Sequence, residues 1–426
     1  MGNKNPNKNY INKRNIKDKS FTLCPLVNDR ELLIEKKVVS NSISCLGIIF
    51  YKEKDFILLG YDLGKIEIYN SETLESVAED HDEIQLNEYI RYVGQLLNED
   101  FVIVSQQYVR IYAFYSDNFS SDNNEGHNYY SIQLLQKIVN PLKSSQNDFS
   151  EVLFSKAFYF DRNLYREYDI HQKELDKNKR KKNKNFIENY PKDEELIISS
   201  HKGIFIFENF KTKKKEKNLS EENSEAINQF DIYSYLENWK NNPYTYREQI
   251  STDNIYDMMQ VNFKYIAGTI KDYLCLYSME TYELVTKFSV KISEDCDSVI
   301  FMLKEDILCL AGNDTIYLIS MKDFEIILVS LIKKSYKITE ICILPDYNIL
   351  IGMKNNNNFL STEHIEYFYQ YKCFHTVNKS TKKMEYSIIK VSSKLLTKNY
   401  SNITMRCLSD NRLVTIIDTC IIQVWK

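Results

Sequence analysis

An all-β fold, seven four-stranded units set in a ring as a seven-bladed β-propeller with one helical insertion, is what the sequence predicts. Three observations carry it. An apolar run, a polar turn and a strand of form apolar-x-apolar-aromatic recur along the 426 residues. A further apolar strand precedes every copy, and another follows most of them. The chain also carries 32 Tyr and 22 Phe, side chains that pack well on a pleated, half-buried surface.

The clearest copy is FILLGYDLGKIEIY, Phe56–Tyr69. FVIVSQQYVRIY (Phe101–Tyr112), LIISSHKGIFIF (Leu196–Phe207), KYIAGTIKDYLCLY (Lys264–Tyr277) and ILCLAGNDTIYLI (Ile307–Ile319) follow. The sixth begins as NILIGM at Asn348 and resumes as IEYF at Ile365–Phe368, and the seventh is LVTIIDTCIIQVW, Leu413–Trp425. Copies start at 56, 101, 196, 264, 307, 348 and 413, so three of the six intervals fall between 41 and 45 residues and polar insertions lengthen the others. The strands upstream are SCLGIIF, YVGQLL, VLFSKAFYF, IYDMMQV, SVIFML, ITEICIL and ITMRCL, in that order. Downstream strands include YELVTKFSV at Tyr282–Val290 and EIILVSLI at Glu325–Ile332. Four short strands per unit, repeated at about 40 to 45 residues, is the pattern of a propeller blade. Rings of six or eight blades are the competing architectures.

GYDLGKIEIYN, Gly60–Asn70, resembles the turn and third strand of a WD40 repeat, with Tyr69-Asn70 where that family carries Trp-Asp. Asp62, Asp272 and Asp314 stand at or beside the turn position of the family's structural aspartate. DHD at Asp80–Asp82 sets His81 about where a Gly-His pair precedes a blade. Tyr112, Phe207, Tyr277 and Phe368 fill the aromatic position of their copies, and Trp425 keeps the tryptophan itself. No copy has an intact Trp-Asp dipeptide, and Gly totals 10. The resemblance covers most of residues 31–426 as a pattern. It implies how the ring closes. The seventh unit reaches only its third strand, at IIQVWK (Ile421–Lys426), whereas ELLIEKKVV (Glu31–Val39) belongs to no unit. In WD40 proteins such a segment becomes the outer strand of the last blade, which leaves no blade incomplete.

The expected organisation is a disordered polar tail, residues 1–20, and one propeller, 21–426, with inserts at 115–128, 161–193, 211–244, 354–364 and 372–385. With strands lettered a to d from the axis outward, a–b and c–d connections emerge on one face, b–c and d–a connections on the other. Inserts 115–128 (c–d, second blade), 161–193 (a–b, third), 211–244 (c–d, third) and 372–385 (c–d, sixth) then share a face, and 354–364 (b–c, sixth) lies opposite. The predicted helix is Ser224–Lys240. Ile232, Tyr235, Leu236 and Trp239 fall at i, i+3, i+4 and i+7 on one side of it. Ser224 caps its start, and Asn241–Pro243 stop it. The stripe reads in two ways, as packing on the propeller's own side or as a surface offered to a partner.

A net charge of −4 gives no global basic field of the kind that draws nucleic acid. Two local runs are basic. One is Asp176–Asn185, with Lys177, Lys179, Arg180, Lys181, Lys182 and Lys184; the other is KTKKKEK, Lys211–Lys217. They read either as solvated loops or as one patch contacting RNA phosphates or directing nuclear import. No aromatic residue is interleaved to stack a base. The nine Cys are odd in number and form no C-x-x-C pair, which suits free thiols in a reducing compartment. Cys373 and His375 make a C-x-H pair with no second pair at ligand spacing, so neither metal nor cofactor is expected.

The longest apolar run, Phe324–Ile332, falls short of the roughly 18 residues of a membrane span, and the N-terminus lacks the apolar stretch of a secretory signal. Pro6 stands where a myristoylation motif after Gly2 wants Ser or Thr. A cytoplasmic protein is expected, with the nucleus as the alternative and no membrane contact. Neither G-x-S-x-G, H-E-x-x-H nor a P-loop is present. The expected function is therefore a non-enzymatic WD40-type scaffold that docks other proteins within a multi-protein complex, a reading by analogy of fold. Its candidate contacts are the six basic residues of 177–184 and the helix stripe Ile232, Tyr235, Leu236 and Trp239. A subunit of an RNA-containing or nuclear assembly is the alternative, and an enzyme or small-molecule binder using the central channel is the third.

Overall fold

A computed structural model describes residues 26, 29–38, 42–79, 88–96, 99–117, 129–139, 153–162, 164, 194–209, 237, 239–241, 243–291, 299–304, 306–312, 314–332, 336–355, 366–377, 384–397 and 403–426. Their strands form seven antiparallel sheets of four. After β1 (Leu32–Lys37), the first blade holds β2 (Ile43–Tyr51), β3 (Lys54–Tyr61), β4 (Ile66–Asn70) and β5 (Ser76–Glu79). The second has β6 (Ile90–Gln95), β7 (Phe101–Ser105), β8 (Val109–Asp117) and β9 (Tyr129–Ile138). The third has β10 (Phe154–Phe160), β11 (Glu194–Ser200), β12 (Gly203–Asn209) and β13 (Thr245–Ser251). The fourth has β14 (Met258–Gln260), β15 (Tyr265–Ile270), β16 (Tyr273–Ser278) and β17 (Leu284–Ser289). The fifth has β18 (Val299–Lys304), β19 (Ile307–Gly312), β20 (Thr315–Ser320) and β21 (Glu325–Leu331). The sixth has β22 (Tyr336–Ile343), β23 (Ile349–Asn355), β24 (Glu366–Val377) and β25 (Met384–Thr397). The seventh has β26 (Ile403–Cys407), β27 (Leu413–Ile417) and β28 (Ile421–Trp425), with β1 as its fourth strand. The innermost strands β2, β6, β10, β14, β18, β22 and β26 touch in sequence, and β26 meets β2 to complete the ring.

The second strand of each sheet is buried on both faces over its described residues, which explains the continuous apolar runs, whereas outer strands such as β17 and β21 keep exposed side chains. Successive side chains along a strand point to opposite faces. In β3, Phe56 and Leu58 pack with Phe101, Ile103 and Tyr112 of the second blade. Ile57, Leu59 and Tyr61 pack instead with Leu408, Val414 and Ile422 of the seventh. Seven apolar clusters among the described residues each bridge two consecutive blades in this way. At about 1.5–3 kcal/mol per fully buried large side chain, these seams are the main source of stability.

Turns manage with little glycine. Lys52 and Glu53 between β2 and β3, and Asp418 and Thr419 between β27 and β28, all adopt positive φ. Gly203, at φ +121°, is required, since a Cβ there would collide with the Ser251 carbonyl oxygen.

The long connections are 118–128 between β8 and β9, 161–193 between β10 and β11, 210–244 between β12 and β13, and 356–365 between β23 and β24. The predicted insert 372–385 needs correction. Strands β24 and β25 are 12 and 14 residues long, so Lys372–Val377 and Met384–Glu385 extend a hairpin instead of looping. Cys373, Tyr386 and Ile388 pack against the apolar seam with the fifth blade, which gives the longer strands something to bury. Of the predicted helix Ser224–Lys240, Glu237, Trp239 and Lys240 are helical, as is Asn241. Ser224–Leu236, the tail 1–20, both basic runs and His81 lie outside the described residues.

Candidate functional site

Four innermost strands share a β-bulge near their start. The pairing register slips between Ile43 and Cys45 in β2, Ile90 and Tyr92 in β6, Phe154 and Lys156 in β10, and Ile338 and Glu340 in β22. A bulge bends its strand and re-aims the side chain that follows. The residues so re-aimed are Cys45, Tyr92, Lys156 and Glu340. Asp257, just before β14, and Arg406, in β26, complete a polar group around the axis.

Two ion pairs organise it. Lys156 Nζ lies 2.9 Å from Asp257 Oδ1 and 5.4 Å from the centroid of the Tyr92 ring. Asp257 also accepts from the backbone N–H of Met258 at 2.8 Å and of Ile300 at 3.0 Å, which fixes both carboxylate oxygens. Arg406 Nη1 lies 3.3 Å from Glu340 Oε1 and donates to the Met405 carbonyl at 2.6 Å. The Ile341 N–H donates to the same Glu340 oxygen at 3.3 Å.

Electrostatic coupling extends across the ring. Arg406 of the seventh blade acts on Lys156 of the third, Tyr92 of the second and Cys45 of the first. Asp257 of the fourth acts on Glu340 of the sixth. Burial pushes the Glu340 carboxyl above the ordinary carboxylate value, and Arg406 offsets part of the rise. For Lys156, burial alone would lower the ammonium pKa; Asp257 and Tyr92 reverse that and hold it raised. Burial pushes the Cys45 thiol up to about 12, so it is no ready thiolate nucleophile. Even so, the Arg406 side chain keeps 35% of its exposure and that of Lys156 22%, so the cations border open space.

A second buried network roots two insertions. Glu195, its side chain 2% exposed, accepts from Arg162 Nη2 at 2.6 Å, Tyr282 OH at 2.5 Å and Arg247 Nη1 at 3.4 Å. Arg247 also pairs with Glu208. Arg162 leads into 163–193, and Glu208 and Arg247 flank 210–244. The network fixes where these chain segments leave the third blade.

Among the sequence-predicted partner contacts, Trp239 is corrected. Its ring is 8% exposed and packs against Tyr244 at 5.6 Å, within the seam of the second and third blades. Gln136 of β9 clamps the same segment, donating to the Tyr244 carbonyl at 2.8 Å and accepting its N–H at 2.9 Å. The propeller itself takes up this end of the stripe. Lys177, Lys179, Arg180, Lys181, Lys182, Lys184, Ile232, Tyr235 and Leu236 lie outside the described residues.

Asp62, Asp272 and Asp314 occupy b–c turns, where backbone bonds tie them to d–a segments: Asp62 N to Ser42 O at 3.0 Å, Val290 N to Asp272 O at 3.0 Å and Ile332 N to Asp314 O at 2.8 Å. Tyr69, Tyr112, Phe207, Tyr277, Phe368 and Trp425 all sit on third strands. Trp425 Nε1 donates to Thr415 Oγ1 at 3.0 Å, whereas Tyr69 OH donates to Glu67 Oε2 at 2.6 Å. A shorter aromatic with an O–H thus finds an acceptor on its own strand.

Among the described residues no group of three or more His, Cys, Asp or Glu is placed to hold a metal ion, and no helix is long and apolar enough to cross a membrane. The axial residues are the ones sequence reasoning missed, although a signal was present. Lys156, Asp257, Glu340 and Arg406 are each the single charged residue in VLFSKAFYF, IYDMMQV, ITEICIL and ITMRCL.

No sequence-family model matches the chain, and no curated protein matches it by sequence. Solved structures do match. The β-propeller domain of Cps50 (Swd1) from Myceliophteria thermophila is 9% identical, with a TM-score of 0.50, covering 93% of this chain and 99% of that one. A chain of the mitotic checkpoint complex is also 9% identical, with a TM-score of 0.52, covering 98% of this chain and 97% of that one. At such identity the likeness is one of fold: the chain forms a seven-bladed β-propeller.

Proposed function

We propose that this protein is a non-enzymatic interaction scaffold that holds other proteins in a multi-protein complex. The observation that carries the reading is the placing of its long connections. The blades are locked seam by seam, and 118–128, 161–193, 210–244 and the β24–β25 hairpin all leave the a–b/c–d face. A rigid ring with additions concentrated on one side suits docking. One structural neighbour is part of a complex, the mitotic checkpoint complex, which supports the reading by analogy of fold. The paired axial charges and the raised Cys45 thiol offer no activated nucleophile, which supports the non-enzymatic part. We place this scaffold in the cytoplasm.

The test is affinity purification from the native cell after nuclease treatment. Wild-type chain is compared with a variant trimmed of 118–128 and 211–236, which keeps Trp239. Stoichiometric partners are expected with the wild type and lost on trimming, at unchanged melting temperature. Retention of every partner by the trimmed chain overturns the one-face reading. Partners that vanish with nuclease alone would move the protein to the RNA-containing class.

A further inference from the structure

Among the described residues, the axial cations hold hydrogen-bond donors that meet no acceptor. Arg406 commits Nη1 to Glu340 and to the Met405 carbonyl, and its Nε and Nη2 bond to no described residue. Lys156 donates to Asp257, and no other described residue accepts from its ammonium. Asp257, by contrast, accepts from Lys156, Met258 N and Ile300 N. Glu340 Oε1 accepts from Arg406 and Ile341 N. Among the described residues, two backbone N–H groups answer Asp257 and one answers Glu340, whereas a single backbone carbonyl, that of Met405, answers the two cations.

We propose that the propeller axis is a binding site for a small oxyanion, held between Lys156 and Arg406 with the Tyr92 ring at its edge. The guanidinium fork and the ammonium supply charge-assisted hydrogen bonds to two oxygens of one anion. Both cations stand on innermost strands of a closed ring, so little ordering is needed on binding. Tyr92 keeps Lys156 beside the opening through its ring face.

Anion binding is linked to protonation of Glu340. That carboxyl is desolvated and faces Arg406 from β26 and Asp257 from the fourth blade; Lys156, Tyr92 and Cys45 stand around the same opening. Protonating it releases Arg406 to the anion, and by reciprocity the anion favours the protonated form. Affinity therefore rises as pH falls.

Sulfate is the probe, because it keeps its double charge from mildly acidic to neutral pH. Equilibrium dialysis of the full chain against labelled sulfate, in chloride at matched ionic strength, is expected to give one saturable site that is tighter at the acidic end. Lys156→Met and Arg406→Lys are each expected to weaken it roughly tenfold, the scale of one charge-assisted hydrogen bond. Glu340→Gln should bind more tightly at neutral pH and lose the pH dependence. Because Lys156→Met leaves Asp257 unpaired, Lys156→Met/Asp257→Asn is the second variant and must weaken sulfate as well. No saturable binding, or equal affinity in the lysine and arginine variants, overturns the site.

Discussion

Leu32 lies opposite Trp425 in the last sheet, and Lys426 N donates to Glu31 O at 2.9 Å, so the two ends of the described chain are hydrogen-bonded neighbours. Around that pair, Gln423 Nε2 donates to Glu35 at 2.6 Å, and Lys36 Nζ donates to the Leu74 carbonyl at 2.9 Å. Strand β1 thus fills the seventh blade and also touches the first. Deleting residues 1–40 should therefore expose the β28 edge, together with the apolar side chains that Ile34 and Val38 cover. A loss of at least about 3 kcal/mol is expected, the scale of one or two buried aliphatic side chains. Deleting residues 1–20 should leave urea unfolding unchanged. Equal midpoints for the two truncations would contradict the closure.

The same strand end gives a sharper test. The Trp425 indole N–H donates to Thr415 Oγ1 inside the blade, and Thr415 is fully buried. Trp425→Phe keeps an aromatic ring but deletes the donor, and Thr415→Val deletes the acceptor. A double-mutant cycle on unfolding free energy should show coupling of about 0.5–1.5 kcal/mol. Additive losses would mean that the bond contributes nothing beyond packing.

The ring was legible because its physics repeats. Strands buried on both faces must be apolar throughout, so FILLG and ILCLA stand out without any Trp-Asp signature. Closure was legible for a related reason, since IIQVWK lacked a neighbour and ELLIEKKVV lacked a unit. Lys372–Glu385 reads as a loop because polar residues fill most of it, yet Cys373 packs against the seam with the fifth blade while Lys372 and Phe374 stay exposed. The axial group was harder. Lys156, Asp257, Glu340 and Arg406 lie far apart in the chain, and only a closed ring with bulged inner strands brings them together. A single charge in an apolar run marks each of them, but nothing in the sequence says that the four marks share one space.

Trp239 separates the structural part of the third-blade insertion from the rest. Its ring fills the seam between the second and third blades, so Trp239→Ala should cost about 3–5 kcal/mol in thermal or urea unfolding. Removing 211–236 while keeping Trp239 and Tyr244 should cost far less, since loop closure depends only weakly on length. If Trp239→Ala were silent, the indole would be free for a partner after all.

Glu340 sets a pH dependence whose sign can be worked out. Burial raises its carboxyl above the unfolded value, against the offset from Arg406. Between those two values the folded chain binds more protons than the unfolded one, so this group's contribution to stability is full below the window and is lost as pH rises through it. Glu340→Gln removes the titrating group. The stability of wild type relative to Glu340→Gln should therefore fall from mildly acidic toward neutral pH and then level off, as read from urea midpoints. Arg406→Met strips away the offset and should move the fall to higher pH. A relative stability that rises with pH would mean that the Arg406 attraction outweighs burial, and the carboxylate would then be the favoured form at every pH above the unfolded value.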